Sequence, residues 1–90
     1  MVADNLEVVK KIVKYLHNET GLDIWSIKSF IDSLLESGYD IRFIVMNSSA
    51  VIQALKSKYS GVKRTHLVGN KYVRYTDEEL FKEALENKSN

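Results

Sequence analysis

Four glycines, at 21, 38, 61 and 69, and no proline punctuate this chain of 90 residues. Each glycine closes a run of apolar periodicity, so the chain is cut into short elements. None belongs to a G-x-G-x-x-G or G-x-x-x-x-G-K pattern, and no phosphate-cradling loop is indicated. Ninety residues make one domain, spanning 1–90 with a polar tail at about 87–90. A chain this short buries only about 60–65% of the surface it exposes when unfolded, so its core is thin and a partner subunit would help.

Between the glycines the patterns are distinct. Val2, Leu6, Val9, Val13 and Leu16 step by four and three, with Val8, Ile12 and Tyr15 beside them, which predicts a helix over 4–18. Its apolar positions cover about half the helix circumference, which predicts packing on two sides, by the rest of the domain or by a neighbour. Asp23 is the expected N-cap of a second helix over 24–37, with Ile24, Ile27, Phe30, Ile31, Leu34 and Leu35 inward. Trp25 falls off that stripe, where it either lies over a loop or anchors an interface.

The run Ile41-Arg42-Phe43-Ile44-Val45-Met46 is short and rich in β-formers, and it reads as a strand covered on both faces. A third helix is expected over 49–59, capped by Ser48 or Ser49, with Val51, Ile52, Leu55 and Tyr59 inward. Gly69-Asn70 sets a two-residue hairpin within 62–76, pairing Val68 with Lys71, Leu67 with Tyr72, His66 with Val73, Thr65 with Arg74 and Arg64 with Tyr75. Thr76-Asp77-Glu78-Glu79 is a capping box that opens a last helix. The expected fold class is α/β, order α-α-β-α-β-β-α, with one central strand plus a β-hairpin flanked by helices.

The composition excludes several kinds of chemistry. With no cysteine there is no disulfide, thiolate metal site or thiol nucleophile, which suits a reducing, cytoplasmic location. The N-terminal residues show no signal-peptide pattern, and no apolar run is long enough for a membrane span. His17 and His66 fit no metal-ligand spacing, so neither a metal nor a cofactor is expected. Ser48-Ser49 lacks a nucleophile elbow, and the carboxylates at 77–86 suit a solvated helix start. No catalytic residue is indicated, and the chain is expected not to be an enzyme.

Charge carries more information than composition. Residues 1–40 and 77–90 each have a net charge of −3. Residues 41–76 hold seven bases (Arg42, Lys56, Lys58, Lys63, Arg64, Lys71 and Arg74) and no acid. Such a block fits a nucleic-acid surface, or a basic middle that meets the acidic ends of another copy. One reading is therefore a winged-helix DNA binder, with the 48–59 helix in the major groove and the 62–76 hairpin as wing. Against it stand a third helix sparse in base-reading side chains, a net charge of only +1, and an apolar strand in need of a sheet partner.

The second reading rests on the segment Leu34-Leu35-Glu36-Ser37-Gly38-Tyr39-Asp40-Ile41-Arg42-Phe43-Ile44-Val45-Met46-Asn47-Ser48-Ser49-Ala50. It resembles a recurrent stretch of tailed-phage major capsid proteins and encapsulins, where a helix ends in Gly-Tyr, an apolar strand ends in Asn, and a new helix starts at once. Ser48 stands where that family often has proline. In length the chain is similar to a truncated archaeal encapsulin-like group that consists of the axial domain alone. The resemblance implies the axial-domain fold, self-assembly into a homo-oligomer, and association with an enzyme or cargo protein. The absence of cysteine and proline and the Lys/Glu-rich surface agree with a thermophilic source. The interface candidates are Trp25, Arg64, Lys71, Tyr72 and Arg74, large or charged side chains off the core stripes.

Overall fold

A computed structural model describes residues 3–60 and 65–88. The elements are α1 (Ala3–Thr20), α2 (Ile24–Glu36), α3 (Ile41–Met46), α4 (Ser48–Lys58), β1 (Thr65–Val68), β2 (Lys71–Arg74) and α5 (Asp77–Lys88). The fold is mostly helical (73%), with one two-stranded antiparallel sheet. It is a small α/β domain in this coarse sense, its order being α-α-α-α-β-β-α.

The boundaries follow local chemistry. Asp23 caps α2 by accepting from the Ser26 backbone N–H at 3.1 Å and the Ser26 hydroxyl at 2.8 Å. The helix ends in a Schellman motif: the Tyr39 N–H donates to the Leu34 carbonyl and the Gly38 N–H to the Leu35 carbonyl, both at 3.1 Å. Gly38 adopts φ +103°, which a side chain would strain. Between α1 and α2, His17 Nδ1 donates to the Leu22 carbonyl, and Thr20 Oγ1 accepts from the Leu22 N–H at 3.1 Å. His17 is thereby used in closing the turn.

The strand expected at 41–46 is a helix, α3, and this is the main correction to the expected fold. Asp40 takes an extended conformation, its carbonyl accepts from the Ile44 N–H at 3.1 Å, and the chain coils from there. Ile41 and Ile44 are buried one turn apart, while Phe43, Val45 and Met46 are exposed. The apolar spacing continues into Val51 and Leu55, so the helical period emerges only over a window longer than the apolar run itself. Asn47 joins α3 to α4 and stands at the cap position expected of Ser48 or Ser49, while its side-chain amide donates back to the Phe43 carbonyl at 2.8 Å.

The core is built from all five helices, α3 contributing Ile41 and Ile44. Leu16, Ile27, Phe30, Ile31, Leu34, Ile44, Val51, Leu55 and Phe81 are fully buried. Each such side chain contributes about 1.5–3 kcal/mol of transfer free energy. Tyr39 meets Phe81 edge-on with ring centroids 5.1 Å apart and stacks on Phe43 at 5.9 Å, which pins α3 against α5. Among the described residues no side-chain polar atom is buried without a partner.

Candidate functional site

The hairpin forms in the expected register, with Thr65 opposite Arg74, His66 opposite Val73, Leu67 opposite Tyr72 and Val68 opposite Lys71. Gly69 takes φ +63° and Asn70 has no positive φ, the combination of a type II′ turn. The expected pair of Arg64 with Tyr75 lies outside the described residues on the Arg64 side. Alternation along the strands puts Leu67, Tyr72, Thr65 and Arg74 on one face, and Val68, Lys71 and Val73 on the other.

Neither face is covered by the helices. All four residues of β2 are exposed, Tyr72 by 77% and Leu67 across from it by 61%. The molecule measures 46 × 27 × 26 Å, elongated as a projecting hairpin requires. The base of the projection is held firmly. Tyr75 packs against the core, and Thr76 and Glu79 exchange backbone and side-chain hydrogen bonds at 2.8 and 3.2 Å, the capping box expected there. Lys58 Nζ at the end of α4 lies 2.7 Å from Asp77 Oδ1 at the start of α5.

Three of the five interface candidates, Lys71, Tyr72 and Arg74, are thus together on one exposed strand. Trp25 is not with them. It stands on the first turn of α2 and is 78% exposed. Arg64 lies outside the described residues. On α4, Ser49, Gln53 and Lys56 form an exposed stripe, i, i+4 and i+7. Lys58, a base of the helix that the winged-helix reading sets in the major groove, is engaged by Asp77 and sits over the Phe30 and Tyr59 rings at 5.6 and 5.4 Å. Tyr59, expected inward, is exposed.

A second surface feature was not singled out in the sequence. Leu6, Val9 and Val13 of α1 and Ile24 of α2 line an open apolar groove of about 430 Å³. Ile24 was expected in the core. The signal for the groove was the apolar arc of α1, too wide for one contact.

Among the described residues no three His, Cys, Asp or Glu side chains are grouped to hold a metal ion, and no helix is long and apolar enough to cross a membrane. The site offers cations, an exposed aromatic ring and amide and hydroxyl groups, a set suited to binding a polyanion. No known protein family, curated protein or solved structure matches this chain.

Proposed function

We propose that this chain is a non-enzymatic, winged-helix-like nucleic-acid-binding protein, in which α4 faces duplex DNA and the β1–β2 hairpin acts as its wing. The observation that carries the reading is the hairpin itself. It follows α4 directly, stands clear of the body on both faces, and carries Lys71, Tyr72 and Arg74 on one exposed strand. It also lies in a stretch, 41–76, that contains no acid. A hairpin built only for the core would bury one face, and this one buries neither. With 41–46 helical, no unpaired apolar strand precedes α4, which removes one of the obstacles to this reading.

Lys71 and Arg74 are suited to phosphate oxygens, and Gln53 is the side chain on α4 best suited to a base edge. Fluorescence anisotropy with duplex DNA across a salt series tests the proposal. Binding should weaken steeply with salt, and the Lys71→Ala/Arg74→Ala double variant should bind more weakly with a log–log salt slope smaller by about two. Absence of binding at low salt, or an unchanged slope in the double variant, would refute it.

The self-assembling, capsid-like alternative draws support from the residues at 34–55 and from the charge blocks. The resemblance leads one to expect a strand at 41–46, where α3 stands, and it is the exposed basic hairpin that supports the nucleic-acid reading. Light scattering on a sizing column separates the two: a large discrete particle would favour assembly.

A further inference from the structure

We infer that the groove between α1 and α2 is a docking site for an acidic amphipathic helix of another protein. The floor is apolar: Leu6, 60% exposed, with Val9, Val13 and Ile24. Leu6 and Ile24 are left in water at the groove, and α1 carries more apolar arc than its own domain covers. The rim is cationic, with Lys10, Lys14 and Lys28 bordering the floor and no carboxylate among the described lining residues. Lys28 meets Asp32 at 3.2 Å, but both side chains are about half exposed, so that pair is easily exchanged for another carboxylate.

Charge decides the occupant. An apolar floor between lysines complements a helix whose apolar stripe is flanked by Asp or Glu. The exposed apolar side chains of the hairpin and of α3 carry the wrong sign. The hairpin would bring Lys71 and Arg74 to the lysine rim, and α3 would bring Arg42. The apolar side of α5, with Leu80, Phe81 and Ala84, is already buried. A second copy is therefore a poor occupant among the described segments. Along α1 the groove runs from Leu6 to His17, about 16 Å at 1.5 Å per residue, which accommodates about three turns of a bound helix.

Trp25, the single tryptophan, adjoins Ile24 and serves as reporter. The probes are two synthetic helical peptides with the same leucine stripe, one flanked by glutamates and one by lysines. The glutamate peptide should bind with micromolar affinity and shift Trp25 emission to the blue, and the lysine peptide should bind roughly tenfold more weakly or worse. Lys10→Glu/Lys14→Glu should reverse that order. Leu6→Glu, at an exposed position, should abolish binding while leaving the helical circular dichroism and duplex DNA binding unchanged. Equal binding of both peptides, binding of neither, or a dimer that Leu6→Glu dissociates would overturn the inference.

Discussion

Lys58 Nζ lies 2.7 Å from Asp77 Oδ1, and this contact joins the last turn of α4 to the first turn of α5 across the base of the hairpin. The two side chains are 31% and 14% exposed, so the pair is less screened than an ordinary surface bridge. Asp77 also complements the positive end of α5, and Lys58 lies over the Phe30 and Tyr59 rings. Lys58→Ala should cost about 1 kcal/mol by thermal or urea unfolding. Hydrogen exchange should rise at the hairpin amides more than in α1, because the tie that orients the projection is lost.

The capping box sits one residue before that tie. Thr76→Ala removes the acceptor of the Glu79 N–H and leaves an orphan donor at the start of α5. The expected loss is about 1 kcal/mol, read as a fall of a few degrees in Tm. Thr76→Ser should recover most of it, since the hydroxyl is retained.

The helical state of 41–46 makes a sharp contrast between neighbours. Ile44 is fully buried, so Ile44→Ala should cost about 2–5 kcal/mol. Met46 is 79% exposed, so Met46→Lys should change stability by less than about 0.5 kcal/mol. A strand covered on both faces would suffer from both substitutions. Urea melts of the two variants decide between the arrangements.

Features set by residues a few positions apart were legible in the sequence. Asp23 with Ser26, Thr76 with Glu79, and Gly69-Asn70 each carry their partners within the local pattern, and the hairpin register followed from the turn. The segment 41–46 did not, because β-branched residues favour a strand locally. Burial of Ile41 and Ile44 and stacking of Tyr39 on Phe43 outweigh that preference. The Lys58–Asp77 pair spans nineteen residues, so no local rule could select it over the other cations. The candidate site was visible as a basic, aromatic hairpin. That both its faces stand clear of the helices depends on how the body packs, as does the exposure of Ile24 in the groove.

Asp23 gives a pH signature. The Ser26 hydroxyl and, second, the Ser26 backbone N–H donate to its carboxylate and hold its pKa below the ordinary value of about 3.9. The folded state thus prefers the charged form. That preference contributes fully above the unfolded-state pKa and is lost as pH falls through the lowered folded-state value. Asp23→Asn keeps an oxygen acceptor that does not titrate. Its Tm should lie below that of the wild type near neutrality, and the two curves should converge as pH falls through the lowered folded-state pKa. A constant gap down to the most acidic point would show that the Asp23 charge does not support α2.

Tyr72 separates a role in binding from a role in folding. Its ring is 77% exposed and touches the domain chiefly through Leu67 across the hairpin, so Tyr72→Ala should lower stability by less than about 1 kcal/mol. If the hairpin contacts nucleic acid, the ring shares its face with Arg74, with Lys71 on the opposite face, and is placed to pack on sugar. Packing of the ring on sugar buries apolar area at about 25 cal/mol per Å², so Tyr72→Ala should weaken duplex binding by about fivefold. Its salt slope should stay unchanged, because no cation is removed. Anisotropy titrations at two salt concentrations check both statements. A Tyr72→Ala variant that binds as tightly as the wild type would leave the hairpin's contribution to its two cations alone.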